Sequence, residues 1–334
     1  MRLKLPSMLD PFLLLLVGTV ILASLFPCNG EGAAIFGWIT NAAITLLFFL
    51  HGAKLSREAV IAGVGHWRLH LLVAASTFVL FPIIGLAVRA AGAGRIDENM
   101  TAGVLFLCLL PSTVQSSIAF TSIAKGNVPA AVCSATLSNV AGIFITPLLV
   151  GLLMGTRAAG GGVNLHSIEA IALQLLAPFI AGHLSRPLTS KFLTRYKTIV
   201  AKVDRSSILL VVYTAFSAAV VEGLWKKLSA GDIALVLVLD AVVLAVALVV
   251  TTITSRALGF SKEDEIAIVF CGSKKSLASG VPMAGVLFPA AMVGPLIVPL
   301  MLFHQMQLMV CAVMARRYAA QMAEADAAAV APAN

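Results

Sequence analysis

The amino-acid sequence predicts an all-α integral membrane protein: ten transmembrane helices arranged as two inverted five-helix repeats. Three observations lead there. The 334 residues are 60% hydrophobic and only 11% charged, where a soluble domain carries about 25% charged residues. Apolar runs recur along the full length, leaving no room for a soluble domain between them. Two of those runs are interrupted at their centres by small polar residues, and one interruption holds paired lysines.

A spanning helix needs about 20 mostly apolar residues. Ten runs qualify: 9–27, 34–52, 68–91, 100–123, 128–154, 167–187, 203–224, 231–255, 263–287 and 291–315. The first two are short. The opening Met1-Arg2-Leu3-Lys4, followed by Phe12 to Phe26, also fits a secretory signal peptide. A first span is preferred because the repeat requires it. The basic loop near 186–205 divides the spans five and five, giving repeat one over about 9–154 and repeat two over about 167–315. The segment 319–334 is alanine-rich and reads as a frayed helical end or disordered tail.

With the N-terminus taken as cytoplasmic, lysine and arginine fall sixteen to five in favour of that side, Lys274 and Lys275 apart. That asymmetry predicts both termini in the cytoplasm, and the inner membrane if the source is bacterial. The net charge of +8 is spread over short loops, without aromatic or glycine-rich RNA motifs, so no nucleic-acid partner is expected. The five cysteines form no CxxC pair and read as small buried hydrophobes. HExxH, GxGD and glycine-rich phosphate loops are absent, which argues against an intramembrane enzyme or ATP-driven transport.

The ninth run organises the rest. It reads Phe270-Cys271-Gly272-Ser273-Lys274-Lys275-Ser276-Leu277-Ala278-Ser279-Gly280-Val281-Pro282. Placing two ammonium groups in hydrocarbon costs roughly 2.5–3.5 kcal/mol each on insertion scales. A loop between two half-length apolar segments is the bland reading. A discontinuous helix whose unwound centre lines a cavity is the functional one. The fourth run carries a counterpart: Gln115-Ser116-Ser117-Ile118-Ala119 matches Lys274-Lys275-Ser276-Leu277-Ala278 in polarity and partly in identity. Pro111 removes a backbone donor just before it. Spans four and nine are five crossings apart, so their halves have opposite orientations.

At these residues the chain resembles the bile acid:sodium symporter family, in the branch typified by the sodium/bile acid cotransporter 7 proteins. The ninth-run motif carries most of the resemblance. Lys125-Gly126-Asn127-Val128 and Leu50-His51-Gly52-Ala53-Lys54-Leu55 support it. The resemblance implies a panel of spans one, two, six and seven and a core of the other six, with broken helices four and nine crossing in the core. It also implies an organic anion substrate carried with sodium. Sodium-coupled members place an acid and a Gln-Asn pair at the ninth-span break; this chain has Lys274 and Lys275 there. Ser116 and Ser117 fit the family's fourth-span hydroxyl and amide positions. Thr136, Ser138 and Asn139 are polar on the fifth span, although strict alignment puts alanine at 131 and 135. Thr77 stands where some members have glutamine.

A buried ammonium carries one positive charge and three donors. Lys274 or Lys275 is therefore expected to occupy the carbonyl and hydroxyl cage that sodium fills elsewhere. Proton coupling, or none, then stands beside sodium coupling. The candidate ion- or substrate-binding residues are Gln115, Ser116, Ser117, Ser273, Lys274, Lys275, Ser276, Thr136, Ser138, Asn139 and Thr77, with Asp240 as a partner acid for a ninth-span lysine. No metal centre or cofactor is expected. His304 and Gln307 share a helix face and read as a core hydrogen bond; His51 and Lys54 read as interfacial. The leading function is secondary transport of an organic anion. The alternative is a non-transporting membrane regulator or sensor of the same fold.

Overall fold

The computed structural model describes residues 11–54, 66–92, 98–154, 165–227 and 229–330. Among them there is helix and no strand. Residues 1–10 and the C-terminal 331–334 lie outside the described set, as do Leu55, Arg57, Arg95 and Arg157.

The helices are α1 (Pro11–Leu25), α2 (Gly30–Lys54), α3 (Trp67–Ala75), α4 (Phe81–Gly92), α5 (Glu98–Leu109), α6 (Gln115–Ile123), α7 (Val128–Met154), α8 (Leu165–Arg195), α9 (Lys197–Val221), α10 (Ala230–Ala257), α11 (Lys262–Gly272), α12 (Leu277–Leu287) and α13 (Ala290–Val330). Among the described residues, six stretches are long and apolar enough to cross a membrane by themselves: α2, Trp67–Ala91, α7, α9, α10 and Ala290–Glu324. Their outer faces expose large apolar side chains, among them Trp38 and Ile39 on α2, Phe144 and Leu152 on α7, and Val238, Val249 and Ile253 on α10. The segment read as a frayed helical end or disordered tail is helical through Val330.

The two interrupted runs are both broken. The fourth stops at Leu109 and resumes at Gln115; the ninth stops at Gly272 and resumes at Leu277. Ser276 caps α12, its hydroxyl accepting from the Ser279 amide at 3.1 Å. A third irregularity escapes the hydropathy pattern. Between α3 and α4 the chain makes a π-helical turn over Ser76–Leu80, in which the Phe81 amide donates to the Ser76 carbonyl. The donor that would next fall to Thr77 belongs to Pro82, which has none. The Thr77 carbonyl is thereby released from the helix.

α2 packs along α8, and α1 along α9. Gly52 and Gly182 permit the first contact. A Cβ on Gly52 would fall on the Phe179 carbonyl, and one on Gly182 on the Phe49 carbonyl. On the other side, α5 packs on α4 and α13, and α11 on α6, α7 and α10. The Lys125–Val128 turn docks on the start of α11: the Asn127 amide donates to the Glu263 carbonyl at 3.0 Å, and Asn127 Nδ2 to Asp264 Oδ1 at 2.7 Å.

Candidate functional site

Breaking two helices inside an apolar body orphans backbone groups that must find partners. At the fourth-run break, each carbonyl from Cys108 to Ser112 finds one outside its own helix. Leu109 accepts from Thr146 Oγ1 at 2.8 Å, Pro111 from the Ser276 amide at 2.9 Å, and Ser112 from Asn139 Nδ2 at 2.7 Å. The Ser112 amide donates to Ser138 Oγ at 3.0 Å, so it does not return to Cys108. The ninth-run break is met in kind. Ser117 Oγ donates to the Phe270 carbonyl at 2.8 Å and Ser112 Oγ to that of Cys271 at 2.5 Å. The breaks therefore meet and satisfy one another.

The two remaining carbonyls at the first break, Cys108 and Leu110, converge with the released Thr77 carbonyl. Lys275 Nζ fills the space between them. It donates to Thr77 O at 2.8 Å, Cys108 O at 3.0 Å and Leu110 O at 2.7 Å. All three ammonium donors are used, and the Phe81 ring closes a further side with its centroid 4.1 Å away. Lys275 is wholly buried. Three carbonyl oxygens and a π face thus surround its ammonium.

Lys274 is equally buried but points elsewhere. Among the described residues its Nζ has no hydrogen-bond partner, and it lies over the rings of Phe120, at 4.1 Å, and Phe270, at 5.4 Å. The two lysines thus do not converge on one site, and only Lys275 has the acceptors of a cation cage. The partner expected for Asp240 is not there either. Both carboxyl oxygens are buried without a hydrogen bond, and no lysine pairs with them among the described residues. Ser273 Oγ returns to its own helix at Val269 O, and Thr77 Oγ1 to Val73 O; Thr77 contributes its carbonyl, not its hydroxyl.

Beside the two breaks lies a cavity of about 430 Å³. Gln115, Ser116 and Ser276 reach it from the breaks, and Thr136 and Asn139 from α7. Ser117, Ser138, Ser273, Thr77, Asp240 and both lysines do not line it. The facing wall comes from α2 and α9. Leu47, Phe48 and Ile208 are apolar there, while His51, Lys54, Asp204 and Arg205 carry charge or hydrogen-bonding capacity. Lys54 and Asp204 form an ion pair. His51 and Lys54 therefore line the cavity. Asp204 and Arg205 fall where the basic loop and the seventh run overlap, and no local pattern there distinguishes a charge that turns inward.

Gln307 is the other residue that pattern undervalues. It is fully buried, and its side-chain amide pairs with both backbone groups of Lys275.

The model of the SBF-like CPA transporter family matches residues 10–320. The chain belongs to this family. It is 59% identical over 319 residues to a protein of Pseudomonas aeruginosa named only as uncharacterized protein PA2026, with 96% of each chain covered. To YfeH of Escherichia coli K12, provisionally named a symporter, it is 56% identical over 97% of each chain. To sodium/bile acid cotransporter 7 of Danio rerio it is 28% identical over 279 residues, 83% of this chain and 82% of that one. The resemblance read from the ninth-run motif holds, and the family, with the apolar helices, makes this an integral membrane protein of a transporter family.

Proposed function

We propose that the whole chain forms one transmembrane domain that carries an organic anion across the membrane as a secondary transporter, with the Lys275 ammonium standing where a coupling cation would bind. The observation that supports this is the set of three backbone carbonyls, from the break and from a π turn, that meet one side-chain nitrogen at 2.7–3.0 Å. A tethered cation cannot be released with the substrate, so coupling is to protons or to no ion. The architecture that goes with this reading has ten spans in two inverted repeats. α5–α6 and α11–α12 are the corresponding broken helices; α1, α2, α8 and α9 are the panel and the rest the core. Both termini face the cytoplasm. The cavity suits an amphipathic anion: Lys54 and Arg205 stand beside phenylalanine and leucine side chains.

The test is thermal stabilisation of the purified protein across an organic-anion library, bile salts included, in sodium and in potassium at several pH values. Stabilisation by at least one anion, equal in the two salts, is expected. Strict sodium dependence would overturn the assignment of Lys275. Failure of every anion to stabilise the protein or enter proteoliposomes would favour the non-transporting regulator.

A further inference from the structure

The cavity and the carbonyl cage are separate places, since Lys275 does not line the cavity. One side chain connects them. Gln307 on α13 accepts from the Lys275 amide at 3.0 Å through Oε1 and donates to the Lys275 carbonyl at 2.9 Å through Nε2. The same Nε2 lies 2.8 Å from Nδ1 of His304, which lines the cavity. An amide nitrogen can only donate, and Oε1 is fixed by the Lys275 amide. His304 Nδ1 is therefore the acceptor, and a neutral His304 carries its proton on Nε2.

We infer that Gln307 is a positioning residue that couples the cavity to the cage, through His304 at one end and the Lys275 backbone at the other. The inference rests on the transport reading above and goes beyond it by naming the connection. Lys275 sits in the unwound stretch between α11 and α12, where its amide and carbonyl are outside the helical ladder. Gln307 grips both. A shift of the His304 ring on anion binding is transmitted through two hydrogen bonds to that backbone, and so to the ammonium among Thr77, Cys108 and Leu110.

The experiment is ring-nitrogen magnetic resonance on histidine-labelled protein in lipid nanodiscs. The chain has six histidines, so His304 is assigned by the signal lost in His304→Gln. The expected spectrum has Nδ1 unprotonated and Nε2 protonated. Lys275→Met should displace the His304 signals when Gln307 is present and leave them unmoved in a Gln307→Met background. Gln307→Glu retains the acceptor for the Lys275 amide but offers His304 an acceptor instead of a donor, so it should move the proton to Nδ1. That inversion is not a general consequence of loosened packing, and it remains readable if Gln307→Met fails to fold. A His304 signal indifferent to Lys275→Met, or one unchanged by Gln307→Glu, overturns the relay.

A second arm titrates taurocholate as the probe anion. Gln307→Met and Lys275→Met should each weaken its effect on thermal stability about tenfold in concentration, and the double variant no more than either alone, because coupled residues are not additive. Effects that multiply would overturn the relay. If neither taurocholate nor any library anion acts on the wild type, the transport reading fails, while the ring-nitrogen spectra still decide the relay.

Discussion

Replacing Lys275 by alanine should turn this chain into a sodium-binding protein. The substitution removes the ammonium and leaves the carbonyls of Thr77, Cys108 and Leu110 buried without their donor. An orphaned buried acceptor costs about 1 kcal/mol at the low end, so the three together cost about 3 kcal/mol. The vacated space is lined by oxygen on one side and by the Phe81 ring on another, a setting that attracts a small cation. Sodium at a hundred times its dissociation constant would return about 2.7 kcal/mol by mass action, nearly offsetting the loss. The assay is thermal unfolding in sodium chloride against N-methylglucamine chloride at equal ionic strength. Lys275→Ala should be destabilised in the organic salt and recover in sodium. Wild type and Lys274→Ala should ignore the exchange, as should Lys275→Met, whose side chain still fills the space. If sodium stabilises the wild type as much as Lys275→Ala, or fails to stabilise Lys275→Ala, the cage is not a cation site and the argument from its geometry is wrong.

Other substitutions test other parts of the molecule. Asp204→Asn releases Lys54 from its ion pair and should tighten anion binding about threefold to tenfold, while Lys54→Gln should weaken it by a similar factor, roughly 1 kcal/mol each way; equal and same-signed changes in a binding titration would contradict this. Gly52→Val drives a side chain into the Phe179 carbonyl and should cost about 1–3 kcal/mol by forcing α2 from α8, read as a lowered melting temperature; an unchanged melt would mean that the contact gives freely. Glu265→Gln reduces the bonding of a carboxylate that takes Arg256 at 2.9 and 3.0 Å, Lys262 at 2.8 Å and Tyr318 at 3.0 Å. Because Arg256 is 59% exposed, solvent screening keeps the loss near about 1.5 kcal/mol, the lower end for charge-assisted bonds. A thermal melt indistinguishable from wild type would show that the cluster contributes nothing.

The helices were largely legible in the sequence because hydropathy has the length scale of a span, and the two breaks were legible because polar residues have no other business there. Which lysine occupies the cage was not. Adjacent side chains diverge by about 100° on a helix, and the direction each takes from an unwound stretch depends on the neighbours that receive it. Those neighbours were hidden. Two of the three acceptors belong to residues with apolar side chains or a thiol, Leu110 and Cys108, and the third to a threonine whose hydroxyl is occupied elsewhere. Side-chain patterns report no carbonyl that has lost its donor. Asp240 was expected to pair with a ninth-span lysine because charges in lipid seek partners, yet the carbonyls satisfy Lys275 and Lys274 turns to the rings of Phe120 and Phe270. His51 and Lys54 lie in the last turn of α2, where a helix end at the membrane surface and a helix end turned toward a cavity read alike.

The π turn at Ser76–Leu80 has a consequence of its own. It accommodates one surplus residue, and everything downstream is phased to that surplus. Excising Ser76 would restore an ordinary ladder, in which the Phe81 amide reaches the Thr77 oxygen four residues back and withdraws it from the ammonium. No change of residue type is needed: the cage is dismantled by length alone.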